Sequence, residues 1–176
     1  MNSGITSSES ATLAPKSVTK FTVIYDDFAT GLRAKRFADL IAAAIGEEAG
    51  HRIAPWRCEM LECDGLMDDA MRDAGESDYV IFSLRGDGSL SFAMKQWIEA
   101  WLERTAGRRV AIVALFDPER SRAGHAHGIR HYLRHVAGAA GVDFFSHCVV
   151  AGDKKHQHHG LDEMLPALFA TGLLAA

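Results

Sequence analysis

Asp26 and Asp27 stand together at the end of one short apolar run, and Arg85-Gly86-Asp87-Gly88-Ser89 ends another. Asp117 closes a third run, with Arg120 and Arg122 behind it. These residue types suit the handling of an anion. Glycine lets backbone N–H groups approach a ligand closely, a helix start presents unpaired N–H groups, and arginine adds a forked cationic donor. Thr30 and Gly31, followed by Arg33, could hold a phosphate in this way at the start of a first helix. The paired acids offer a different chemistry, because hard carboxylate oxygens suit Mg²⁺. As a plain turn they would simply feed a helix start, where acids are favoured.

The chain has nine histidines. His125 and His127 follow the third run, and His156, His158 and His159 follow a later one, so the five could converge at one end of a sheet. Imidazoles at that density can bind zinc, nickel or copper. No HExxH occurs and no acids interleave at ligand spacing, so a solvated helix face and loop is the expectation and no metal site is expected. His127, His131 and His135 recur every four residues on such a face. His147 is expected to be a core or sheet-end histidine. The three cysteines, Cys58, Cys63 and Cys148, include no second close pair to complete a zinc site and are expected to be free thiols. No GxGxxG or Walker A loop is present, and no residue offers itself as a catalytic nucleophile with a base.

The elements that must position these residues alternate along 176 residues, enough for one domain with a sizeable core. Phe21–Tyr25, Tyr79–Phe82 and Val110–Phe116 read as strands buried on both faces. Ile53–Met60, interrupted by Pro55, suits an edge strand, and Val142–Val150 is a fifth. Helical spacing is expected over residues 32–48, in a short stretch from Leu66 to Met71, and over 91–105, 118–140 and 161–174. Residues 1–19, rich in Ser and Thr, are expected to form a disordered tail before a single domain spanning 20–176. Strands each followed by a helix predict an α/β fold, a three-layer α/β/α sandwich on a five-stranded parallel sheet, with flavodoxin-like order 2-1-3-4-5 favoured over a Rossmann half of another order. Ligands of such sheets bind beyond the carboxyl ends of the strands, where the loops after strands one, three and four meet.

The run Asp87-Gly88-Ser89-Leu90-Ser91-Phe92-Ala93-Met94-Lys95-Gln96-Trp97-Ile98-Glu99 resembles the flavin-contacting segment of the NADPH-dependent FMN reductase and quinone reductase families. Gly88, Ser89, Lys95 and Ile98 match that segment, while Leu84, Gly86 and Ser91-Phe92 depart from it. The resemblance implies an FMN-dependent NAD(P)H oxidoreductase with Arg85, Gly86, Asp87, Gly88 and Ser89 along the flavin ring. It also implies Thr30, Gly31 and Arg33 at the phosphate, and Asp117 on the ring's other side. Those families have a Ser/Thr-rich turn where this chain has Asp26-Asp27, and carboxylates oppose a dianion. The acid pair is similar to that of response-regulator receiver domains, although no acid ends strand three. The alternative is therefore a non-catalytic, flavodoxin-like or receiver-like ligand-binding domain without flavin.

Net charge of −4 argues against nucleic acid as a partner, and no apolar run approaches a membrane span. The missing secretory pattern and odd cysteine count lead us to expect a cytoplasmic protein. Phe92, Met94, Trp97, Ile98, Trp101 and Leu102 span more than one helical stripe and suggest a homodimer contact beyond sheet packing.

Overall fold

The computed structural model describes residues 18–45, 50–117 and 124–148. Residues 1–17 of the expected tail and the expected closing helix over 161–174 lie outside these residues, as do Arg120, Arg122, His156, His158 and His159, while Thr19, placed in the tail by sequence, begins the first strand. Five parallel strands, β1 (Thr19–Tyr25), β2 (His51–Arg57), β3 (Tyr79–Leu84), β4 (Ala111–Phe116) and β5 (Asp143–Cys148), form one sheet in the order β2-β1-β3-β4-β5. Helices α1 (Phe28–Ile45), α2 (Leu66–Glu76), α3 (Phe92–Arg104) and α4 (Gly124–Ala140) connect them, with a 3-10 segment, Cys58–Glu62, after β2.

Every residue of β3 and β4 is buried, as central strands covered on both faces must be. Alternate side chains divide the core. Phe21, Val23, Ile81, Val113 and Leu115 face α1, while Ile24, Val80, Phe82, Ile112 and Phe116 face α2, α3 and α4. Strand β2 shows the mixed exposure of an edge. It starts two residues before the expected Ile53 and yields to the 3-10 segment after Arg57, because in-register pairing runs from Thr19↔His51 to Tyr25↔Arg57 and ends with β1.

Helix α3 is the middle one of three on its face and touches both α2 and α4. That placement explains its wide apolar arc. Met94, Trp97, Ile98, Trp101 and Leu102 are all buried within the chain, and the two indoles stack with centroids 6.2 Å apart. The expected second strip therefore reduces on α3 to Phe92, which is 75% exposed. Ser91 caps the helix, its Oγ accepting from the Met94 N–H. No helix among the described residues is long and apolar enough to cross a membrane.

Candidate functional site

Parallel order 2-1-3-4-5 reverses direction between β1 and β3, and the crevice at that switch point is where such sheets place ligands. A cleft of about 310 Å³ lies there, within the usual range for small-molecule sites. Its floor is the segment Leu84–Ser91, which supplies Arg85, Gly86, Asp87, Gly88 and Ser89. Asp26 enters from the β1 loop, Cys58, Glu59 and Glu62 from the 3-10 segment, and Met94 and Ile129 from α3 and α4. The sequence pattern names the floor but misses the 3-10 wall. The loop after β2 reaches the carboxyl edge by the same topological rule, and Glu59 and Glu62 are three residues apart in it.

Gly86 shapes the floor. Its φ of +79° lies in the left-handed region, and a Cβ there would stand 2.9 Å from the Ala126 Cβ of α4. Gly31 does not reach the cleft. It packs against the Tyr25 ring, where an added Cβ would meet ring carbon at 3.0 Å. Asp117 sits half-buried just past β4 and is not among the residues lining the cleft.

The donors expected to meet an anion are engaged within the chain. Asp27 is the N-cap of α1: its Oδ1 accepts from the Thr30 N–H at 2.9 Å, while Thr30 Oγ1 accepts from the Asp27 N–H at 2.8 Å and the Asp26 N–H at 3.1 Å. The Thr30 hydroxyl proton goes to the Asp27 carbonyl at 2.8 Å. This reciprocal cap explains why α1 begins at Phe28 and not at the apolar Leu32. Arg33 turns inward, Nε donating to Ser83 Oγ at 3.0 Å and Nη2 to the Leu84 and Leu115 carbonyls at 2.8 and 3.3 Å. It ties α1 to the ends of both central strands. Asp26 crosses to the floor, where its Oδ2 accepts from the Arg85 N–H at 2.7 Å. The Arg85 guanidinium lies 3.8–4.0 Å from the carboxylates of Asp26, Asp27 and Asp87. Thr30, Gly31 and Arg33 are thus structural in this geometry, and their expected phosphate contacts find no free donor in the hydrogen bonds described.

Charge agrees. Among the described residues, Asp26, Glu59, Glu62 and Asp87 line the cleft against one guanidinium, Arg85. That excess repels a dianion. FMN's phosphate does not fit these residues. Gly88 and Ser89 stand exposed on the cleft floor. Metal fares no better: among the described residues no group of three His, Cys, Asp or Glu side chains could hold an ion. His125, His127, His131 and His135 lie exposed along α4, as a solvated helix face.

The Asp27 carboxyl is held below its ordinary value of 3.8, chiefly by the Thr30 backbone N–H and against the opposing effect of burial, with the Thr30 hydroxyl and Arg85 adding to the lowering. A depressed carboxylate contributes stability that is present above about pH 4 and is lost as pH falls through the lower folded value. Asp27→Asn keeps the cap oxygen but not the charge. The stability gap between wild type and Asp27→Asn, from urea unfolding, is expected to be constant between about pH 5 and 7 and to close below about pH 4.

Cys58 faces Asp26 across the cleft. Burial, then the nearby Asp26 charge, pushes its thiol far above the usual range, so it stays protonated and is a poor nucleophile. Cys63 is exposed. Iodoacetamide at pH 8 is expected to modify Cys63 at least tenfold faster than Cys58, as peptide mass mapping would read; equal rates would contradict the burial of Cys58.

No family model and no curated protein sequence matches this chain. Solved structures do. A flavodoxin of Streptococcus pneumonia is similar with a TM-score of 0.52 at 17% identity, covering 88% of this chain and 99% of that one. A cysteine-to-serine variant of flavodoxin from Pseudomonas aeruginosa is similar with a TM-score of 0.52 at 18% identity, covering 88% and 99%. The Trp repressor binding protein of Bacillus subtilis is similar with a TM-score of 0.50 at 11% identity, covering 83% and 98%. Identities this low speak for the fold alone, and the fold of this chain is flavodoxin-like.

Proposed function

We propose that this chain is a flavodoxin-like ligand-binding domain that takes a small organic molecule in the cleft above Leu84–Ser91 and does so without FMN. The observation that carries the reading is the occupied α1 terminus: Asp27 and Thr30 side chains already take the N–H groups of Asp26, Asp27 and Thr30. The cleft itself has the size of a ligand site and a floor of exposed backbone at Gly88 and Ser89. The test is binding. The purified protein is expected to show no yellow chromophore and no quenching of FMN fluorescence at micromolar concentration. In ¹H–¹⁵N spectra, a neutral fragment set is expected to shift the amides of residues 85–91. Shifts scattered over the surface would contradict the reading.

The second reading is an FMN-dependent NAD(P)H oxidoreductase. It is favoured by the likeness to flavodoxins and by Gly88 and Ser89 standing on the cleft floor. Saturable FMN quenching with NAD(P)H-dependent bleaching of the bound flavin would establish it in place of the first.

A homodimer remains part of the proposal, now centred on exposed Phe92 and not on the buried indoles. Sedimentation is expected to show a dimer that Phe92→Ser dissociates; a monomer at 100 μM wild type would remove it.

A further inference from the structure

We infer that Asp27 is a resident anion that closes the helix terminus facing the sheet edge, so that the ligand of the cleft carries no phosphate group. The inference deepens the ligand-binding reading above, but its statement about Asp27 stands separately. A helix start at the carboxyl edge of a parallel sheet concentrates unpaired N–H groups and the positive end of the helix dipole. Any anion that binds there must bring oxygens to those groups. Here the chain brings its own: Asp27 Oδ1 lies 2.9 Å from the Thr30 nitrogen, and Thr30 Oγ1 covers the Asp26 and Asp27 nitrogens.

A second carboxylate repeats the device on the opposite loop. Asp26 Oδ2 takes the Arg85 N–H at 2.7 Å, the first amide beyond β3. Among the described residues that line the cleft the one cation, Arg85, faces Asp26, Asp27 and Asp87 within 4.0 Å. Arg33, the cation next to the α1 terminus, is turned onto Ser83 and the Leu84 and Leu115 carbonyls. An incoming phosphate would have to displace a carboxylate bonded within its own turn, which competes intramolecularly. It would also meet, among the described lining residues, four carboxylates against one guanidinium. Neutral or cationic ligands meet neither obstacle.

Asp27→Gly tests this. Glycine is accepted at an N-cap with little loss, so the variant is expected to fold while the terminus stands open. Thermal melts in sodium sulfate, against sodium chloride at equal ionic strength, read the effect. Wild type is expected to melt at the same temperature in both salts. Asp27→Gly is expected to show a saturable sulfate-dependent rise in Tm of about 3 °C or more. Asp27→Asn, whose amide oxygen still fills the terminus, is expected to stay flat. A saturable rise in wild type with sulfate, or with FMN but not riboflavin, would overturn the inference. So would a flat response in Asp27→Gly, or a rise in Asp27→Asn equal to that of glycine. If no fragment binds the cleft, the sulfate readout is unaffected, so the two readings fail separately.

Discussion

Arg33→Met is expected to lower stability by about 2–4 kcal/mol, although Arg33 lies on a half-buried helix face. The cost comes from what the guanidinium leaves behind. Leu84 ends β3 and Leu115 is the penultimate residue of β4, and Arg33 Nη2 donates to the carbonyls of both. Ser83 Oγ would lose the Nε donor while still donating to the Thr30 carbonyl at 2.7 Å. Methionine matches the stem but brings no donor, so buried acceptors are stranded, and hydrogen bonds to charged groups are the expensive ones to lose. In a domain of this size the loss corresponds to a fall in Tm of about 6–12 °C by calorimetry. Lysine offers a single ammonium in place of a fork and is expected to recover less than half of it. A Met variant within 1 °C of wild type would show that the clamp is decorative.

Gly86→Ala is the second large effect, expected at about 2–5 kcal/mol. Two causes add. An L-residue at φ +79° is strained by about 1–2 kcal/mol. The new methyl would also meet the Ala126 Cβ at 2.9 Å, an overpacking cost of about 1–3 kcal/mol. The causes separate in a double-mutant cycle with Ala126→Gly, which removes the opposing methyl and leaves φ untouched. A coupling energy of about 1–3 kcal/mol between the two positions is expected from denaturant unfolding. Purely additive effects would mean that α4 gives way at no cost and that the loop and helix are not in firm contact.

Much of this fold is legible in residues. Tyr79–Phe82 and Val110–Phe116 are unbroken apolar runs because they are covered on both faces, and Pro55 marks β2 as an edge. With that edge, alternation favours the order observed, and the cleft opens at Arg85–Ser89. What the pattern cannot convey is who satisfies whom. Asp27 and Thr30 look like ligands by type, yet they bond each other, because a side chain three residues from a bare N–H can cap it within the same turn. Arg33 looks like a surface cation until the carbonyls of two strands, far away in sequence, are brought beneath it. Trp97 and Trp101 exceed a single helical stripe because α3 packs against two neighbouring helices as well as the sheet, and periodicity counts faces without saying what covers them.

The outer margin of β2 has a bearing on how copies of this protein can meet. An open strand edge is a template on which another chain can add a strand, the usual beginning of sheet-to-sheet aggregation. Pro55 interrupts the N–H groups of β2 midway, and Arg52 and Arg57 stand exposed on either side of it. A docking strand would find a missing donor at its centre and repulsion between like charges from an identical neighbour. Continuation of the sheet across this margin is therefore obstructed, which favours solubility at high concentration and leaves helices and loops as the surfaces through which copies could associate.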